Sequence, residues 1–222
     1  YSDAADEAMR IDTNGNLGLG LSDPDQPLEI SRAFTSSPTS NIRLSVTGTA
    51  AVGGGSAIQF DVSTSATALG NYHSRIVARR TASNNGSSDL GFFTTEVSVS
   101  AAAIERMTIT EDGNLGIGTT APDGTLHVHT GSAGSVTADA TGDDLIVEAS
   151  GHGGISILTP DASNGYLMFG SPTDPVGAFV TWNLDADKMV IATANTGGEL
   201  AFATDNNVEA MRIDSNGNVG IG

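Results

Sequence analysis

The side chains best suited to chemistry are few and scattered. His127 and His129 stand at i and i+2 and therefore project from one face of a strand. Three such strands around a symmetry axis would offer six imidazoles to a metal ion. Leu126 and Val128 alternate with them and are the stronger claimants to a core, so both histidines are read as solvent-facing and no metal is assigned. Asp143, Asp144 and Glu148 supply carboxylates of the kind that cleave polysaccharide, but their spacing defines no acid and base pair, and they read as a solvated acidic loop. Asp185 and Asp187 around Lys188, the only lysine, read as a turn. Asp12-Thr13-Asn14-Gly15-Asn16 and Asp214-Ser215-Asn216-Gly217-Asn218 look superficially like calcium loops. An EF-hand places Gly sixth and ends on a bidentate Glu, and neither condition is met, so Asx turns account for them. Tyr166, Phe169, Phe179 and Trp182 are candidates for a sugar-binding platform, yet they fall in strand-like runs that favour core or subunit packing.

Other chemistries lack their residues. The chain contains no G-x-S-x-G, P-loop or H-E-x-x-H pattern, and Gly18-Leu19-Gly20 and Gly116-Ile117-Gly118 precede no helical pattern that would make them nucleotide fingerprints. The absence of Cys removes thiolate nucleophiles, Cys-based zinc sites and disulfides. Nine basic against 26 acidic residues give a net charge of −17, which opposes binding to nucleic acid or anionic membranes. No apolar run approaches the roughly 20 residues that span a bilayer, and the amino end shows no signal pattern. The chain reads as a non-enzyme with no cofactor, no nucleic-acid partner, no membrane insertion and no divalent ion needed for folding.

The elements that would position these residues are strands. Gly accounts for 28 of 222 residues and aromatics for 5%, and no run follows helical periodicity, so the fold class is all-β. Alternation predicts strands over 41–46, 56–62, 74–80 and 90–95, then over 144–149, 154–160, 165–170, 177–184, 188–193 and 199–204, with turn-forming loops at 81–88 and 193–198. Large aliphatic and aromatic side chains make up about a quarter of the chain. That is thin for a self-sufficient core, and without disulfides the expected remedy is partner subunits.

One twelve-residue unit occurs three times: MRIDTNGNLGLG at 9–20, MTITEDGNLGIG at 107–118 and MRIDSNGNVGIG at 211–222. Glu7, Glu105 and Glu209 each lie two residues before the Met. Pro24-Asp25 with Leu28 and Ile30 recurs as Pro122-Asp123 with Leu126 and Val128, and Leu90, Phe92 and Thr94 recur as Leu200, Phe202 and Thr204. The period is about a hundred residues. The domains expected are a unit at 1–20 closing a preceding module, a β-rich module at 21–118 and a second at 119–222, with more protein expected beyond both ends.

Each unit reads as a hairpin. Met9 and Ile11 alternate on one face, Asn14-Gly15 turns the chain, and Leu17 and Leu19 return. Met107, Ile109, Gly113, Leu115 and Ile117, and then Met211, Ile213, Gly217, Val219 and Ile221, repeat the pattern. Gly15, Gly113 and Gly217 are expected at positive φ. The second glycine pair leaves the opposite face bare, where a neighbouring subunit's backbone is expected to approach.

The run from Glu105 to Val128, with Met107, Gly113, Asn114, Gly116, Ile117, Gly118, Thr119, Thr120, Pro122, Leu126 and Val128, closely resembles repeats in tail fibres and neck appendages of tailed phages. Members often end in an intramolecular chaperone of the endosialidase type, whose Ser-Lys chemistry has no counterpart here. The unit at 9 departs by carrying Leu21-Ser22-Asp23 before Pro24. The resemblance implies an elongated parallel homotrimeric fibre located on the virion, two tandem β-rich modules joined by Gly-rich hairpin units. Its role would be that of a shaft joined to neighbouring fibre segments and spacing a host-recognition tip. The competing expectations are a carbohydrate-binding adhesin module that contacts a host surface glycan and, behind it, a polysaccharide depolymerase.

Overall fold

The computed structural model describes residues 8–19, 23–25, 27–30, 53–61, 73–81, 86–96, 103–183 and 186–222. Among them every helix or strand assigned is a strand, so the chain is all-β. The strand expected over 41–46 lies outside the described residues. Two compact units are formed, residues 1–153 and 154–222.

In the first unit β1 (Met9–Ile11) and β2 (Leu17–Leu19) make a hairpin, and β3 (Leu28–Ile30) adds parallel to β2. A seven-stranded sheet follows, with its strands side by side in chain order. It comprises β4 (Gly55–Asp61), β5 (His73–Arg80), β6 (Ser88–Thr94), β7 (Ile104–Ile109), β8 (Leu115–Ile117), β9 (Leu126–His129) and β10 (Leu145–Glu148). The pairings from β4 to β8 are antiparallel, whereas β8, β9 and β10 run parallel. In the second unit β11 (Gly165–Ser171), β12 (Asp174–Asn183) and β13 (Lys188–Thr193) form one antiparallel sheet. There β14 (Leu200–Thr204), β15 (Val208–Ile213) and β16 (Val219–Ile221) form another.

The three twelve-residue units share one register. Met pairs with the last apolar residue and Ile with the first: Met9 with Leu19 and Ile11 with Leu17, Met107 with Ile117 and Ile109 with Leu115, Met211 with Ile221 and Ile213 with Val219. The connection is a three-residue loop closed by the residues on either side of it, with Asp12 N–H donating to the Asn16 carbonyl at 2.9 Å. The glycine ends a tight turn at φ +86° in Gly15, +87° in Gly113 and +83° in Gly217, the left-handed bulge position of such loops. The turn is therefore one residue longer than an Asn-Gly pair. Side chains brace it: Asp12 Oδ1 accepts the Asn14 and Asn16 amides, both at 2.8 Å, and Asp214 Oδ1 accepts those of Asn216 at 2.9 Å and Asn218 at 2.8 Å.

The likeness extends upstream through a shared irregularity. Leu90 and Phe92 stand opposite Ile109 and Met107, with a register shift after Phe92; Leu200 and Phe202 stand opposite Ile213 and Met211, with a shift after Phe202. Downstream, Leu126 and Val128 of β9 stand beside Leu115 and Ile117 as Leu28 and Ile30 stand beside Leu17 and Leu19.

Parallel addition of β9 obliges the chain to cross one face of the sheet between residues 118 and 125, and the glycines permit it. A Cβ on Gly116 would lie 2.4 Å from the Thr119 carbonyl oxygen, and one on Gly118, at φ +78°, would lie 2.2 Å from that of His129. The backbone that approaches the bare face at Gly116 thus belongs to the same chain, which corrects the expectation of a neighbouring subunit there.

One further expectation is corrected. Residues 154–160 carry strand-like alternation at Ile155 and Ile157 but form no strand: they enter no ladder among the described residues and are exposed throughout. Alternation without a partner for the backbone groups does not make a strand. The two units divide after Gly153, with β9 and β10 extending the first sheet. A sequence period marks where a pattern recurs and not where a sheet ends.

Candidate functional site

Two arrangements stand out, one on each face of the seven-stranded sheet. The first is an apolar ladder. Register places Leu145, Leu126, Leu115, Ile109 and Leu90 in one row across β10 to β6, and Val147, Val128, Ile117, Met107, Phe92 and Ile76 in the next across β10 to β5. Cross-strand partners share a face, so these eleven side chains form one surface. Among the described residues nothing covers it: no hydrophobic side chain is buried, and Ile109, Ile117, Leu145 and Val147 are exposed. Met9 and Ile11 of the first hairpin are 62% and 68% exposed, and Val219 and Ile221 of the last are exposed as well. This reverses the ordinary inward placement of such residues.

The second arrangement lies on the opposite face, under the crossover. The row Thr108, Gly116, His127 is buried, with Thr108 at 0% and His127 at 2% exposure. The solvent-facing reading of His127 is therefore wrong, while His129 is half-buried at the rim. Leu126 and Val128 pointed to the other face as the core, but the crossover covers the glycine face and takes His127 with it.

His127 has two nitrogen environments. The Asp123 amide donates to Nδ1 at 3.3 Å. Nε2 lies 3.1 Å from Glu148 Oε2, within ion-pair distance, yet is a buried polar atom without a hydrogen bond of good geometry. His129 Nε2 lies 3.8 Å from the same oxygen, and the two rings meet edge-on at 5.7 Å. The Glu148 Oε1 accepts the Ala133 amide at 2.6 Å. That hydrogen bond first, and then the two neighbouring imidazoles, hold the Glu148 carboxyl below its ordinary range. Glu148 is thus a clamp on the 130–133 turn and a neighbour of both histidines, not a free carboxylate of an acidic loop. Asp143 and Asp144 serve there through their main chain, their carbonyls accepting the Thr125 and Leu126 amides at 3.1 and 3.0 Å.

The four aromatics do not form one platform. Register puts Phe169 and Trp182 on one face of the β11–β13 sheet, with Leu167, Val180, Met189 and Ile191, and puts Tyr166 and Phe179 on the other, where their rings meet edge-on at 5.9 Å.

Glu105 and Glu209, each two residues before a Met, have structural tasks that their recurrence alone did not reveal. Arg79 donates to Glu105 Oε2 at 2.8 Å and to Asp89 Oδ2 at 3.3 Å, and all three are largely buried. Glu105, chiefly, holds the guanidinium in its charged form. In the second unit Glu209 pairs with Arg212 at 2.6 Å. Arg79→Leu leaves two carboxylates facing each other half-buried and is expected to cost about 1–3 kcal/mol, read as a lower melting temperature. An unchanged melt would mean that the cluster is solvated and unimportant.

A second expectation concerns the turns. The Asn218 side chain first, and then the amides of Asn218 and its neighbours, hold the Asp214 carboxyl below its ordinary 3.8; Asp12 is lowered likewise, chiefly by the Asn16 amide. A lowered folded pKa means that the stabilisation is present above 3.8 and is lost as pH falls through the folded value. In the middle unit Thr110 Oγ1, which does not titrate, accepts the Asn114 amide at 3.2 Å. On acidification, NMR should show the Asn218 amide shifting with a midpoint below 3.8 and the Asn114 amide moving far less. A midpoint at or above 3.8 contradicts the turn geometry.

No family model and no curated protein matches this sequence.

Proposed function

We propose that the chain is a structural shaft segment of a homotrimeric phage tail fibre or appendage, in which copies meet on the apolar ladder and the assembly spaces a host-recognition tip from the virion. The observation that carries this reading is the ladder itself, two continuous rows of Leu, Val, Ile, Met and Phe that nothing among the described residues buries. Each 100 Å² of that surface removed from water is worth about 2.5 kcal/mol, so covering it on three chains supplies stability that one chain lacks. The repeated register of the three hairpins supports a modular shaft, since each period presents the same face. Strand edges paired or covered by neighbouring copies would also protect an acidic particle from edge-to-edge aggregation.

The shaft reading assigns no ligand to the outer surface. A glycan array probed with the assembled protein should therefore give no saturable binding. Tight binding to one host polysaccharide, lost in Trp182→Ala, would replace the shaft by an adhesin module.

A further inference from the structure

We propose that Asp123, His127 and Glu148 bind a single divalent transition-metal ion of the zinc class, pinning the 118–125 crossover to β9 and β10 within one chain. The site is independent of assembly, since all three residues come from the first unit of the same chain. One ligand atom from each lies within 4.8 Å of those of the other two. An imidazole with two carboxylates is a donor set that zinc accepts and that an all-oxygen calcium site does not use.

Two observations raise this above a chance cluster. The first is His127 Nε2, a buried nitrogen with no hydrogen bond, 3.1 Å from Glu148 Oε2. Such an atom is costly to leave unmatched, and a bound ion satisfies it. The second is the placement of Glu148 Oε2, 3.1 Å from Nε2, close to the roughly 3.3 Å that separates two ligands of one tetrahedral ion each about 2.0–2.2 Å from it.

The surroundings support the site. The Ala133 amide holds Glu148 Oε1 and thereby turns Oε2 to the histidine, the outer-shell support that metal carboxylates need. A cavity of about 360 Å³, lined in part by Asp123, Ile146 and Glu148, opens beside the cluster and gives an ion a way in. His129, at the rim, stands close enough to Glu148 for water or its own ring to complete the coordination. Ligation at Nε2 places the ring proton on Nδ1, so the Asp123 amide, now donating to Nδ1 at 3.3 Å, must turn aside on loading. This amide is therefore a specific reporter. The proposal revises the expectation that the chain involves no divalent ion. It also differs from a paired use of His127 and His129, since the partners of His127 are carboxylates from other segments.

The test is titration of the chelator-treated wild-type chain with zinc by calorimetry, and with cobalt(II) followed by visible absorption. Expected are one equivalent per chain, the intense cobalt band of a four-coordinate site, a raised melting temperature and a shift of the Asp123 amide in NMR spectra. His127→Ala and Glu148→Gln should each weaken zinc binding by about 100-fold, and His129→Gln by about 10-fold or less. Absence of saturable zinc uptake by the wild type overturns the proposal, and so does uptake of several equivalents with the weak spectrum of hydrated cobalt. Binding that His129→Gln abolishes while His127→Ala retains it overturns it too. The wild-type titration decides the matter even where a variant fails to fold.

Discussion

Replacing Ile109 and Ile117 together by Asp is expected to abolish assembly and leave monomer or aggregate. Both residues lie on the apolar ladder, Ile109 opposite Leu115 and Ile117 opposite Met107, and both are exposed in the single chain. The double variant should therefore fold its hairpin as before, because neither side chain is buried among the described residues. In the proposed trimer the substitutions bring six carboxylates to the meeting surface. Each would lose several kcal/mol of hydration and face like charges, which outweighs the roughly 1 kcal/mol that each half-exposed isoleucine gains on burial. Light scattering should show no trimer. An intact trimer with unaltered melting would place the subunit contact elsewhere.

Gly118→Ala is expected to harm the fold itself. It combines φ +78° with a Cβ only 2.2 Å from the His129 carbonyl oxygen, so it strains the backbone and pushes β9 away from the crossover. Together these effects should cost about 2–4 kcal/mol. Gly113→Ala isolates the first of them, since its φ is +87° but nothing lies within 4 Å of the added methyl, and it should cost about 1 kcal/mol. Thermal melts of the two variants rank them. Equal losses would mean that the crossover does not pass against His129.

The contrast between those glycines shows what the sequence makes legible. Gly113 sits in a turn whose flanking alternation announces a hairpin, and the strands at 56–62, 74–80, 90–95 and 165–170 are legible for the same reason: a period of two is a local property. Gly118 works through a contact eleven residues away, and no local pattern encodes that route. The burial of His127 was missed on the same ground. Alternation with Leu126 and Val128 shows that the histidine faces away from them, but not that the crossover closes over that side. The Arg79, Asp89 and Glu105 cluster spans three strands, and only the recurring glutamate before each Met pointed toward it. Residues 154–160 failed in the opposite sense, having the pattern without a partner.

Sedimentation equilibrium of the chain at several loading concentrations decides whether copies meet on the apolar ladder. The homotrimer gives a single species of three times the chain mass, unchanged on dilution into the low micromolar range, because nothing among the described residues covers the ladder. A monodisperse, well-folded monomer over that range would contradict it.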